Sequence, residues 1–317
     1  MRNRHLQSNL LLLLTALIWG FSFVTQTVGL KILGPFTLNA LRFTLGAISL
    51  LPILFYFRRK RARTAAANLA TVSSEGSTSA PPAHEPVLSR ASIVAGVIIG
   101  LVLFAGISFQ QIGMLYTSTG KAAFITGMYI VLVPVFGLFL RQRPRRSTWV
   151  GVTVAAVGLY LVSVREDFTI GFGDLLEIIG AGLWAVHILV IDHYAKKFDT
   201  ILLSFLQFVT CSTLSFGAAL LFENITIAAI STAILPVLYG GFLAVGVAFT
   251  LQVVGQKHAD PSHAAIIFSL EAVFAAIGSA LLLGENLGVR GYAGCALMLL
   301  GMVATQIRFE KKEAQVF

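Results

Sequence analysis

Residues 92–113 read SIVAGVIIGLVLFAGISFQQIG, and the fold turns on this stretch. It carries no charged side chain in 22 residues. As a helix rising about 1.5 Å per residue, that length crosses a hydrocarbon core about 30 Å thick. The apolar residues are continuous rather than alternating, so a strand of a membrane barrel does not fit. Comparable runs recur, giving expected spans at 8–29, 36–57, 92–112, 121–140, 148–164, 175–194, 201–221, 232–254, 263–283 and 289–307. The expected fold is an all-α polytopic membrane protein of about ten transmembrane helices.

Composition agrees. The 317 residues are 56% hydrophobic and 12% charged, whereas a soluble surface needs about 25% charged residues. The net charge of +9 does not point to nucleic acid, because the basic residues sit at the ends of the apolar runs. With the N-terminus inside, 18 of the 23 Lys and Arg fall at inner ends, from Arg2 and Arg4 through Arg58–Arg63, Arg141–Arg146, Lys196, Lys197 and Lys257 to Lys312. Only Lys31, Arg165 and Arg290 fall at outer ends. Both termini are therefore expected in the cytoplasm, with the first helix kept as an anchor rather than cleaved. Cys211 and Cys295 lie inside apolar runs and read as packing residues, not as a disulfide.

The end of the opening stretch starts a repeat. Gln110 to Gly113 (QQIG) matches Gln252 to Gly255 (QVVG) at an offset of 142, which also sets Ala122 and Ala123 on Ala264 and Ala265. At an offset of 165, Trp19 meets Trp184, and Leu41-Arg42-Phe43 meets Leu206-Gln207-Phe208. One residue of slip sets Gly151 and Gly158 on Gly294 and Gly301. Each copy holds five helices, an odd number, so the second copy must enter the membrane upside down. Two inverted repeats with a site near the midplane are a transporter architecture. The expected organisation is 1–57 plus 91–164 as the first repeat, 165–307 as the second and 308–317 as a cytoplasmic tail. Residues 58–90, rich in Ala, Ser, Thr and Pro after a basic start, read as a disordered cytoplasmic loop lying near anionic headgroups.

The motifs within the two copies resemble a known family. Residues 117–124 (TSTGKAAF), leading to Pro134 and Val150-Gly151, and residues 254–265 (VGQKHADPSHAA), 269–274 (SLEAVF) and 283–285 (LGE), resemble the EamA-like family of the drug/metabolite transporter superfamily. The resemblance implies ten helices, alternating access, and export of small metabolites such as amino acids. Nucleotide-sugar exchange is the alternative that the same superfamily implies. One departure is that the first copy reads Leu140-Arg141-Gln142-Arg143 where the second has Gly284-Glu285.

Polar side chains within the spans are the candidate site, because each is costly in lipid and needs a partner or a wet cavity. Glu271, midway along the ninth span, is the candidate for binding a proton or a cationic substrate group. Lys121 opens the fourth span, and its repeat mate His263 opens the ninth and is the candidate gate. Trp19, Ser22 and Gln26 share one face of the first helix, and Trp184 and His187 repeat it in the sixth. Tyr129, Gln110, Gln252 and Arg42 complete the set expected to bind substrate or couple ions. Competing readings are helix–helix hydrogen bonding for the amides and tyrosine, and a structural charge for Arg42.

Other chemistries fit less well. Thr119-Gly120-Lys121 lacks the first glycine of a phosphate-binding loop, and Ala122 stands where a magnesium ligand would be. His258, Asp260 and His263 are too few and too close in sequence to argue for a metal. No nucleophile–base set suggests an enzyme, and no large soluble domain suggests a sensor. The expected partners are a small-molecule substrate, the bilayer and, as a candidate coupling ion, protons, with no nucleic acid and no cofactor.

Overall fold

The computed structural model describes the backbone of residues 2–74, 88–117, 119–163, 170–283 and 288–306. Side chains at 2–5, 58, 61–74, 119–121, 162–163, 279–283 and 306 lie outside the described residues. The first copy comprises α1 (Arg2–Leu30), α2 (Pro35–Ser74), α3 (Arg90–Gly113), α4 (Thr119–Gly127) with α5 (Tyr129–Phe139), and α6 (Arg146–Ser163). The second comprises α7 (Phe172–Ala195), α8 (Thr200–Phe222), short α9 (Ile227–Thr232), α10 (Ile234–Leu238), a π-helical segment (Tyr239–Phe249) continuing into α11 (Thr250–Gln256), α12 (Pro261–Ser269) with α13 (Glu271–Leu283), and α14 (Gly288–Gln306). Among the described residues, nine spans are long and apolar enough to cross a membrane. They match nine of the ten expected segments. The tenth, α6, lies alongside α14.

Polarity is inverted relative to a soluble protein. Leu101, Val157, Leu220, Phe242 and many other large apolar side chains are exposed, while Asn39, Arg42, Gln111, Glu177, His187 and Gln207 are buried. Such an exterior suits lipid, and the buried polar groups must then be served by one another.

The packing obeys a twofold relation between the copies. On α2 and α8, Phe36 lies near Phe222, and the mates Phe43 and Phe208 meet with ring centroids 6.1 Å apart, so these helices run antiparallel. On α6 and α14, a Cβ added to Gly151 would lie 2.6 Å from the Gly301 oxygen, and one added to Gly158 would lie 2.6 Å from the Gly294 oxygen. Each glycine thus touches the mate of the other, which is the reciprocity of a twofold axis. The first helices are exchanged: α1 packs on the π segment, α11, α12 and α13, while α7 packs on α3, α4 and α5.

Both fourth helices, expected as continuous, are interrupted midway by a single residue that keeps right-handed helical dihedrals. One breaks at Met128 and the other at Leu270, 142 residues apart. The Ser269 hydroxyl bonds back to the Ile266 carbonyl at 2.8 Å, a local competitor of the helix ladder. Around the breaks the halves are unequal. On the side bearing the basic helix ends, α5 packs along α12, and α12 also touches α7. On the opposite side, the mirror pair of α4 and α13 meets at few points among the described residues.

One expected boundary needs correction. The chain was read as a loop from residue 58, but α2 continues to Ser74. The run of Arg, Lys and Ala after Phe57 consists of strong helix formers, so the helix outlasts its apolar part. Residues 75–87 of that expected loop, and the expected tail at 308–317, lie outside the described residues.

Candidate functional site

The broken helices bring their first residues after the break together. Tyr129 opens α5 and Glu271 opens α13, and at the offset of 142 they are repeat mates. The Tyr129 hydroxyl donates to Glu271 Oε1 at 2.8 Å. The contact therefore lies where the two copies face each other. Gly20 lets α1 pack closely on the start of α13, where an added Cβ would lie 2.7 Å from the Glu271 carbonyl oxygen.

A cavity opens beside this pair. It is a slot of about 500 Å³, counting the part open to solvent. Nine of the expected site residues line it: Trp19, Ser22, Gln26, Arg42, Gln110, Tyr129, Trp184, Gln252 and Glu271. Its apolar walls include Phe249, at the end of the π segment, and Phe268. Trp19 and Trp184 both reach Phe249, with centroids 4.7 and 5.9 Å away. Their indoles differ in one respect. Trp19 Nε1 donates to the Ala244 carbonyl at 3.1 Å, whereas Trp184 Nε1 has no partner among the described residues.

Arg42 supplies the positive charge. It is 2% exposed, and its Nη1 donates to Gln26 Oε1 at 3.1 Å. Gln111 donates to the same oxygen, and Gln26 Nε2 donates to the Ser22 hydroxyl at 3.2 Å. Arg42 makes no ion pair among the described residues. Its stem lies against Gly240, where an added Cβ would strike Cγ, Cδ and Nε. A buried guanidinium whose hydrogen-bond partner among the described residues is one amide, Gln26, can take an anionic group of a bound solute.

The remaining expected residues sit elsewhere. His187 lies behind the wall, with Nε2 3.1 Å from Gln207 Oε1 and its ring 5.6 Å from Trp184. His263 is off the cavity on the basic side, where its ring nitrogens meet Thr305 Oγ1 at 2.9 Å and Asn9 Oδ1 at 3.1 Å. It ties together α12, α14 and α1. The Lys121 side chain lies outside the described residues. The sequence reading missed Thr126, Phe249, Phe268 and the fully buried Glu177. A signal for part of this was present: the offset of 142 that pairs Gln110 with Gln252 also pairs Tyr129 with Glu271 and Thr126 with Phe268.

Comparison with known proteins assigns the whole assembly. The EamA-like transporter family matches residues 6–164 and again 171–306, once for each copy. An Archaeoglobus fulgidus protein described as an uncharacterized transporter is 31% identical over 306 residues, covering 96% of this chain and 87% of its own. The Bacillus subtilis uncharacterized transporter YoaV is 22% identical over 305 residues, covering 94% of this chain and 96% of its own. A solved crystal structure superposes with a TM-score of 0.74 at 19% identity, covering 96% of this chain and 98% of that one, which supports the fold alone. The chain is a polytopic membrane protein and belongs to the EamA-like transporter family.

Proposed function

We propose that this protein is a secondary transporter that exports a small amphipathic zwitterion, an amino acid or close relative, by alternating access. The observation that carries the reading is the content of one cavity: a guanidinium and a carboxyl, not paired with each other, between aromatic walls. Arg42 suits a substrate carboxylate, and the free Trp184 N–H is a further donor for it. Glu271 suits a substrate ammonium or, between substrates, a proton. The spacing is reasonable. Gln26, which holds Arg42, and Gly20, which packs on Glu271, are six residues apart on α1, or about 9 Å of rise. The two tryptophans and Phe249 would cover an apolar side chain.

The basic helix ends favour placing the N-terminal side in the cytoplasm of a plasma membrane. The packed side is then inner, and the loosely packed side faces out. Rocking would close α4 on α13 and part α5 from α12, with Tyr129 and Glu271 as the fulcrum between the copies.

The test is counterflow in proteoliposomes using labelled phenylalanine and leucine, with and without a pH gradient. The expected result is movement of either amino acid, inhibited by the other. The decarboxylated amine and the deaminated acid, each lacking one charge, should compete poorly. If neither amino acid moves while a singly charged or uncharged solute does, the zwitterion assignment is wrong.

A further inference from the structure

Glu177 lies one layer behind the cavity. It is fully buried on α7, and it sits against Gly113 of α3, where an added Cβ would lie 2.9 Å from its Cγ. The Thr126 hydroxyl donates to Glu177 Oε2 at 3.1 Å, and Gln110 Nε2 donates to Thr126 Oγ1 at 3.2 Å. Glu177 Oε1 has no partner among the described residues. Thr126 and Gln110 both line the cavity, so the chain of contacts runs from the slot to the carboxyl.

The titratable groups around it are few. Asp174 is nearly one turn earlier on α7, engaged by the Thr117 hydroxyl and by Gly171 N–H at 2.9 Å. Tyr129 opens α5 and is bonded to Glu271. Lys121 belongs to the first turn of α4, with its side chain outside the described residues. Arg90 of α3 and His263 of α12 belong to the opposite, basic side, and α11 carries no titratable residue. An ionised carboxylate accepts several hydrogen bonds, and this one has a single donor among the described residues. Carboxyls placed this way within a membrane are characteristic of proton relays.

The mirror positions are decisive for direction. The repeat mates of Glu177, Thr126 and Gln110 are Leu12, Phe268 and Gln252. Leu12 and Phe268 belong to the apolar core. The relay therefore exists only on the side opposite the basic helix ends.

We propose that Glu177 is a second proton-carrying carboxyl of this transporter, loaded from the cavity through Thr126 on one side of the membrane only. A hydronium in the slot passes a proton to Thr126 Oγ1 as the hydroxyl hands its own to Glu177 Oε2, and the reverse transfer releases it. One proton is stored and no other bond changes. That proton entry opposes solute export rests on the transport reading above, whereas proton storage on Glu177 does not.

The test is infrared difference spectroscopy of the purified full-length protein between acid and alkaline buffer, with no substrate added. The expected result is a carboxylic-acid carbonyl band that Glu177→Gln removes and Glu271→Gln leaves in place. Thr126→Val, which deletes the donor, should shift that same band in frequency. If the Glu177→Gln spectrum superposes on the wild type, Glu177 does not store a proton and the proposal fails. If Glu177→Gln does not fold, Thr126→Val and Glu177→Asp decide the matter: spectra unchanged by both overturn it, and a shift common to both supports it. Counterflow without any Glu177 band would leave the transport reading standing and remove only the relay.

Discussion

The two sides of the cavity share a backbone plan and differ in chemistry. On the side away from the basic helix ends, Ser22, Gln26, Arg42 and Gln111 form one bonded cluster. Their repeat mates are His187, Ile191, Gln207 and Val253. Of these, only His187 and Gln207 bond, while Ile191 and Val253 join an apolar cluster with Ile99 and Leu203. The same holds for Gln110, Thr126 and Glu177 against Gln252, Phe268 and Leu12. Duplication kept the contacts that define the twofold scaffold, and divergence made one side polar and the other oily. A rocking transporter with identical sides would present the same site to both compartments. Unequal sides present different chemistry to the two ends of the cavity.

The largest effect should come from erasing the unequal charge. Arg42→Gln gives α2 the residue that its mate α8 already has at Gln207. A hydrogen bond to a charged group contributes about 1.5–3 kcal/mol, so kcat/KM for a zwitterionic amino acid should fall about 10- to 150-fold. The mirror change, Gln207→Ala, removes a bond to His187 that lies behind the cavity wall. Interhelical bonds of this kind average about 0.6 kcal/mol, or about threefold. Equal losses from the two variants in the same proteoliposome assay would mean that the polar side has no special part in substrate binding.

The scaffold should respond in the opposite way, equally on both copies. For the mates Gly158 and Gly301, a Cβ on Gly158 would lie 2.6 Å from the Gly294 oxygen, and a Cβ on Gly301 would lie 2.7 Å from the Gly151 oxygen. Backbone atoms cannot turn aside as a side chain can, so the helices must separate. Gly158→Ala and Gly301→Ala should each destabilise by about 1–3 kcal/mol, within error of one another. Gly182→Ala and Gly217→Ala are the controls, because an added Cβ there meets nothing within 4 Å. These should be neutral or gain up to about 1 kcal/mol of helix propensity. Thermal midpoints in detergent separate the cases, and a large inequality between Gly158→Ala and Gly301→Ala would break the twofold description of α6 and α14.

The sequence exposed the scaffold more fully than the site. Runs of apolar residues and the alternation of Lys and Arg are set by the solvent, which is lipid along most of the chain, so spans and copies could be read without knowing any contact. The polar residues facing the cavity were also legible, since Trp19, Ser22 and Gln26 share one helical face and lipid does not welcome the last two. The breaks at Met128 and Leu270 were not. Neither point is a proline (Pro134 lies six residues after Met128), and the spans of 121–140 and 263–283 are apolar enough to be continuous helices. Only the meeting of the two copies reveals why the ladder stops there. Glu177 was passed over because it stands near the start of its span, where a carboxylate is ordinarily wet; Gly113 and Thr126 from other helices are what bury it. The extension of α2 to Ser74 went unread because composition suggested disorder, whereas local propensity favoured helix.

The smallest difference between the copies is one hydrogen bond on a tryptophan, and it separates stability from binding. Trp19 and Trp184 are mates, and both rings pack on Phe249. A phenylalanine at either position keeps an aromatic ring beside Phe249 and loses the indole N–H. At Trp19 that N–H is spent on the Ala244 carbonyl in the π segment, so Trp19→Phe should lower stability by about 0.5–1.5 kcal/mol. Its effect on KM should be small. At Trp184 the N–H has no partner among the described residues, and Trp184 lines the cavity. Trp184→Phe should therefore leave the thermal midpoint nearly unchanged and raise KM for the amino acid by about 2- to 12-fold, the same bond expressed in binding. Melting curves and counterflow on the two variants give four numbers, and the losses should fall on the diagonal. If both variants melt early and transport normally, the Trp184 N–H serves the fold and is not a substrate donor.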